Sequence, residues 1–233
     1  MKQKLSTYNK KKRSIQKTLE FTKRRLHKIM KLLEIEKITG KKLEKGETEN
    51  FIILYEKKRL GELFQIFDSE DKPVIVEGKK LLFYREECHG EGSLGSYFFH
   101  RGSNVFLVDR DKVYIQCRGE DKDLFPGYAD LAAGEHLKIG ESYDAGAIRG
   151  LKEEAGINVD KSRLKLLFKK KILDPLNKEW ASYYRVDYDG EEIKLSKESK
   201  FGAWISLKKL KDPGFLKTFR RDQVEALEMF LRK

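Results

Sequence analysis

The chain has 233 residues, with 50 Lys and Arg against 38 Asp and Glu, and a formal net charge of +12. That length accommodates one domain of ordinary size plus an extension, and its two cysteines exclude a disulfide framework, which fits a reducing compartment. The longest apolar runs, such as FIILY at Phe51–Tyr55, are far too short to span a bilayer, and the lysine-rich start lacks the apolar stretch of a secretory signal, so a cytoplasmic protein without a membrane span is expected.

Charge is unevenly divided. Residues 1–50 hold 16 Lys and Arg against 6 Glu, so nearly all of the excess positive charge sits in an N-terminal arm. Within it Ile15, Leu19, Thr22, Leu26, Ile29 and Leu33 recur at spacings of four and three, which describes a basic amphipathic helix with one narrow apolar seam. Docking on the rest of the chain or pairing in a homodimer would bury that seam. Clusters at Lys10, Lys11, Lys12 and Arg13 and at Lys23, Arg24 and Arg25 suggest instead that residues 1–45 meet nucleic acid or an anionic surface. Tyr8 and Phe21 are too few aromatics for a base-stacking platform. Residues 39–50, with Gly40 and Gly46 among many charges, read as a linker, giving an arm over 1–50 and one domain over 51–233.

Short apolar runs FQIF, VIV and LLFY follow between Arg59 and Glu87 and are compatible with strands. Further strands are predicted at 105–109 and 113–117, joined by a charged turn, then at 164–172 and 180–188, with a tight turn at Asp189 and Gly190. Ala203 opens the run AWIS, and a helix is expected over residues 221–231.

Between these strands lies GEHLKIGESYDAGAIRGLKEEAGI, residues 134–157. Its pattern predicts a helix from about Asp144 to Ala155, with Ala147, Ile148, Leu151 and Ala155 on the apolar side and Gly156 as a left-handed C-terminal cap. Arg149 stands four residues before Glu153, so one flank gathers carboxylates beside a guanidinium, a donor set suited to Mg²⁺ or Mn²⁺. An isolated Glu-Glu pair usually marks only a solvated helix face, but here seven positions match in order. The segment resembles a Nudix box, whose pattern is a glycine, five residues, a glutamate, seven residues, then R-E-U-x-E-E-x-G-U with U a bulky apolar residue. Glu141, Arg149, Leu151, Glu153, Glu154, Gly156 and Ile157 fall in register.

The resemblance implies an α/β/α sandwich around a mixed sheet, with Glu153, Glu154 and Arg149 in catalysis and Glu141, Glu153 and Glu154 holding Mg²⁺ or Mn²⁺. Two positions depart from the pattern. Glu135 stands where the opening glycine is expected, and Gly150 replaces a glutamate that commonly belongs to the metal and base constellation. Gly146 and Gly150 also cost the helix roughly 0.5–1 kcal/mol each relative to alanine, tolerable where close packing needs a small residue.

His89 in REECHGEGSLG, His100 in SYFFHRGSNVFLVD, His136 in the box segment and Glu179 in NKEWASYYRVDY resemble the metal site of type I isopentenyl-diphosphate isomerases and their Nudix relatives. Three imidazoles and a carboxylate would suit a second, transition-metal ion such as Mn²⁺, Zn²⁺ or Fe²⁺. Taken singly, each histidine is more often an ordinary surface or core side chain. The isomerases use a cysteine where this chain has Gly134, and a second acidic residue where it has Asn177; Cys88 and Cys117 lie elsewhere, Cys117 in a strand where a small buried side chain is expected.

The reading is therefore a metal-dependent hydrolase of a nucleoside diphosphate-X or similar organic diphosphate. An isomerase-like enzyme and a catalytically weakened binding module are the alternatives. Nothing selects the substrate; Arg85, Arg101 and Arg118 are phosphate candidates, and Lys169, Lys170 and Lys171 would face the cleft at alternate positions of a strand.

Overall fold

The computed structural model describes residues 34–57, 61–90, 92–122, 124–174 and 176–233. The amphipathic helix expected up to Leu33 lies outside the described residues.

The run VFLV, residues 105–108, is apolar throughout rather than alternating, as a strand covered on both faces requires. It lies within β6 (His100–Asp109), the centre of a mixed sheet ordered β10-β11-β6-β7-β12. Its partners are β7 (Lys112–Arg118), β10 (Lys165–Asp174), β11 (Asn177–Asp187) and β12 (Ser199–Ser206), with β8 (Ala129–Asp130) on β7 and β9 (Ala133–His136) on β6. Among the described residues, only the β11–β6 pairing of strands in this sheet is parallel.

Side chains alternate along β6. Val105 and Leu107 pack with Ala147, Leu151 and Ala155 of the helix α2 (Tyr143–Ala155). Phe106 and Val108 pack on the other face with Leu227 and Phe230 of α3 (Arg221–Leu231), Phe106 stacking on Phe230 at a centroid distance of 4.4 Å. This is the expected α/β/α sandwich.

The strands β6 and β7 pair only near their shared turn, at Val108↔Val113 and Asp109↔Lys112. Farther on, β9 takes over the edge of β6 from Gly102 to Val105, and β8 takes the edge of β7 at Gln116 and Cys117. A cavity opens where the two strands part, lined by Asn104 of β6, Gln116 and Arg118 of β7, and Asp130 of β8.

A second mixed sheet precedes the sandwich, ordered β1-β2-β5-β3 with β4 on β5: β1 (Glu44–Glu47), β2 (Phe51–Tyr55), β3 (Leu63–Gln65), β4 (Ile75–Val76) and β5 (Lys79–Tyr84). Its core joins Ile52, Leu54, Phe64, Leu81 and Phe83 to Ile35 and Leu43. Residues 39–50 are thus not the linker that their composition suggests. β1 pairs with β2 through Gly46↔Ile53 and its neighbours, while Lys45 and Glu47 stay at the rim in ion pairs with Glu77 and Lys79. Backbone pairing makes this edge strand, and its charged side chains are those an edge tolerates. After β5, the short helix α1 (Arg85–Cys88) turns the chain toward the sandwich and ends at His89.

Candidate functional site

The box helix α2 is capped at both ends, at the C-terminus by the glycine its sequence predicts and at the N-terminus by Ser142. The Ser142 hydroxyl accepts from the Ala145 amide at 3.3 Å, and Gly156, at φ 73°, closes the C-terminus with its N–H directed to the Leu151 and Lys152 carbonyls. Arg149, in the middle of the helix, uses its full fork of donors. Its Nε and Nη2 donate to the two Glu141 oxygens at 2.9 and 3.0 Å, its Nη1 to Glu135 and Glu153 at 2.9 Å each, and its Nη2 also to the His136 carbonyl at 2.8 Å.

The Glu141 hydrogen bond, chiefly, raises the Arg149 pKa. Burial works against the charge of Glu141, but Arg149 and the Lys138 amide outweigh it and hold the carboxyl below its usual pKa.

Glu153 and Glu154, adjacent in sequence, do different things. Glu153 is half exposed on Arg149, whereas Glu154 turns into the cavity, where its oxygens accept from the Gln116 side chain at 2.6 Å and the Gly134 amide at 2.7 Å. Burial, reinforced by the nearby Glu135 and Asp130 charges, pushes the Glu154 pKa up to about 8. Burial also raises Glu135, with Arg149 opposing. The single acidic flank expected of the helix is therefore split. Arg149 gathers Glu141, Glu153 and Glu135, while Glu154 and Glu135 line the cavity.

The histidines come together through strand register. On β6, positions 100 and 102 share a face; Glu179 of β11 pairs with His100, and His136 of β9 pairs with Gly102. His89 arrives from the end of α1, so one ring nitrogen from each of His89, His100 and His136 lies within 4.8 Å of the others. The Glu179 Oε2 stands 3.9 Å from His100 Nε2 and 4.0 Å from His136 Nε2. A Cβ at Gly102 would lie 1.9 Å from Glu179 Oε1, so glycine is what makes room for this carboxylate.

Phe64, from the second sheet, covers the group, with centroids 5.1 Å from His100 and 4.8 Å from His136. His100 is buried with no hydrogen-bond partner on either ring nitrogen among the described residues. Burial, then the neighbouring His89, hold its pKa well below the usual histidine value, and His136 is lowered likewise by burial and by His100. Neutral imidazoles with lone pairs turned into one pocket are a donor set for a transition-metal ion. Burial lifts Glu179 to a pKa of about 7, moderated by the Asn177 amide that donates to it at 3.1 Å. All four expected residues meet here, and they fit such an ion.

Glu154, Glu135, His136 and Glu179 share one cavity of about 200 Å³. Arg85 and Arg118 line it, as the phosphate reading requires, and so do Lys122 and Arg220, which sequence reasoning missed. Arg101 does not: its guanidinium stacks on Phe67 at 3.7 Å and bonds Asp71 at 2.7 Å. The lysine run is also engaged elsewhere. Lys169 pairs with Asp71, Lys170 with Glu225 at 2.8 Å, and Lys171 lies over Trp180 at 5.0 Å, and none of the three lines the cavity, although β10 reaches it at Ile172. Cys117, expected to be buried, is half-buried with Sγ 3.5 Å from the Gly127 carbonyl, and Cys88 is buried.

Residues 98–227, more than half of the chain, match the family model described as NUDIX domain. The chain is 34% identical over 98 residues to an uncharacterised Nudix hydrolase of Pseudomonas aeruginosa, an alignment covering 42% of this chain and 52% of that protein. It is 30% identical over 86 residues to Nudix hydrolase 3 of Arabidopsis thaliana, covering 36% of this chain and 10% of that protein. Isopentenyl-diphosphate Delta-isomerase 1 of Photorhabdus laumondii is 27% identical over 127 residues, 52% of this chain and 72% of the isomerase. The chain thus spans about half the length of the Pseudomonas relative and about a tenth of the Arabidopsis one. A crystal structure from Deinococcus radiodurans superposes with a TM-score of 0.57 at 18% identity, over 72% of this chain and 98% of that one, a likeness of fold.

Proposed function

The chain belongs to the Nudix family, and from that premise we propose that it hydrolyses the diphosphate linkage of a nucleoside diphosphate-X or similar organic diphosphate with the help of a divalent cation. The observation that carries this reading is the shared cavity, where Glu154 of the box helix faces Arg85, Arg118, Lys122 and Arg220. A carboxylate buried beside further acidic groups favours a cation, and a basic wall favours a polyanion. Glu153 and Glu154 would hold Mg²⁺ or Mn²⁺, with Glu141 supporting them and Arg149 orienting Glu141 and Glu153. When bound, the cation supplies neutralisation of diphosphate charge and helps water to attack. His89, His100, His136 and Glu179 would hold a second, transition-metal ion on the same cavity.

Two observations weigh against isomerase chemistry: Gly134 occupies the place of the isomerases' cysteine, and Asn177 that of their second acidic residue. The deciding experiment is a panel of organic diphosphates with Mg²⁺ or Mn²⁺, read by phosphate release and by the mass of the organic product. Phosphate or nucleoside monophosphate release is expected. Double-bond migration without phosphate loss would replace the reading with an isomerase, and binding without turnover would replace it with a binding module.

A further inference from the structure

The two departures of the box from its pattern lie against each other. Gly150 is buried in α2, and a Cβ built on it would stand 2.6 Å from the Glu135 Cγ and 3.2 Å from its Cβ. Those atoms belong to the stem of the glutamate rather than its mobile end, so a side chain at position 150 and a glutamate at position 135 exclude one another. Where the pattern has a small residue on the strand and a carboxylate on the helix, this chain has the carboxylate on the strand and the small residue on the helix. β9 packs beside α2, so side chains at positions 135 and 150 compete for one space.

Three features argue that the Glu135 carboxylate does more than fill space. It accepts from Arg149 Nη1 at 2.9 Å, the same nitrogen that holds Glu153, so it is tied into the box. It lines the cavity with Glu154 and His136. Its Cγ also stands against Gly150, four residues before Glu154 on α2, so the strand carboxylate and Glu154 rise from one face of the helix. We infer that Glu135 supplies, from strand β9, the cation-holding carboxylate that the box helix lacks at Gly150.

The inference rests on the metal-dependent hydrolase reading. Its test uses the full-length protein with Mg²⁺, which carboxylates accept and imidazoles disfavour, so the histidine group stays silent. Apparent Mg²⁺ affinity comes from the Mg²⁺-induced rise in melting temperature, and turnover is measured beside it. Glu135→Gln keeps the shape and removes the charge; it should weaken Mg²⁺ by about tenfold or more while the metal-free protein melts cooperatively as before. Gly150→Glu alone should melt lower, because its side chain meets Glu135. Glu135→Gly combined with Gly150→Glu should recover both Mg²⁺ affinity and turnover, a non-additive result expected of two residues in contact.

A wild-type protein that binds Mg²⁺ and hydrolyses diphosphate, with Glu135→Gln matching it in affinity, would overturn the inference and leave the hydrolase reading standing. Should the double variant fail to melt cooperatively, Glu135→Gln decides alone. A wild-type protein that neither binds Mg²⁺ nor releases phosphate would remove the hydrolase reading and this inference together.

Discussion

Arg149 shows how one side chain can organise a site without being its reactive group. A planar fork meets Glu141 through two nitrogens and reaches Glu135 and Glu153 with a third contact point, which an ammonium cannot do. Arg149→Lys should keep the charge, free at least two of the three carboxylates, and cut turnover by about 10- to 100-fold. Steady-state kinetics across a Mg²⁺ series would expose the cause, since the loss should be partly recovered at high Mg²⁺. Unchanged Mg²⁺ dependence would remove Arg149 from the metal site.

Glu154 gives a pH prediction for the metal-free protein. Its folded pKa of about 8 lies above the usual glutamate value of 4.5, so the folded state keeps a proton that the unfolded chain gives up. The stability this confers is complete below about pH 4.5 and is lost as pH rises through about 8. Melting temperature without metal should therefore fall across that window, with Glu154→Gln flattening the fall and abolishing most turnover. An equally steep fall in Glu154→Gln would assign the effect to other groups.

At the scale of elements, the histidine group depends on register more than on any one strand. Gly102 of β6 lies opposite His136 and beneath Glu179, so Gly102→Ala should displace the carboxylate although the added methyl is small. The purified protein should carry about one transition-metal ion beyond what the carboxylates bind, and neutral imidazoles should retain it through mild dialysis. Elemental analysis checks both points. His136→Ala should lose the ion and Gly102→Ala should hold it less well. No Mn, Fe or Zn above background in the unmodified protein would make these ordinary buried histidines.

At the scale of the whole molecule, the first sheet changes how the N-terminal arm should be tested. Ile35 and Leu43 are each only 7% exposed in its core, and β1 supplies its outer strand. Removing residues 1–45 would thus strip part of a folded sheet, at a cost on the order of 3 kcal/mol or more from the two apolar side chains alone. Removing residues 1–33 leaves that sheet whole. If the seam through Leu19, Leu26 and Leu33 pairs two copies, this shorter deletion should halve the solution mass, insensitively to salt. If the arm instead meets a polyanion, mass should stay constant while salt-dependent RNA or anionic-lipid binding disappears. Mass by light scattering and a salt titration separate the outcomes. Among the described residues, no helix is long and apolar enough to cross a membrane.

Local pattern was enough for the elements whose signals are local. The continuous apolar run of β6, the Gly156 cap of α2, and the periodicity of residues 221–231 are signals carried by a few neighbouring residues; both helices form where they are predicted, whereas β6 begins at His100, five residues before its predicted start. The box spacing likewise put Arg149 beside Glu153, since helix geometry joins positions four apart wherever the helix sits, whereas Glu141 lies before the helix and reaches Arg149 through the turn that precedes it. Tertiary structure alone decided the rest. Composition made residues 39–50 a linker because β1 is held by backbone pairing that its charged side chains do not advertise. Glu153 and Glu154 parted because adjacent helical positions point about 100° apart, and only the sheet decides which of them meets the cavity. Arg101 and Arg118 look alike in sequence and both are committed, Arg101 to Asp71 and Phe67, Arg118 to Asp130 at 3.1 Å and the Leu124 carbonyl at 2.8 Å, yet only the second also lines the cavity that holds Glu154. The match between Glu135 and Gly150 was visible as two departures from one pattern, but that they occupy a common space is a fact of β9 packing on α2, which no spacing along the chain encodes.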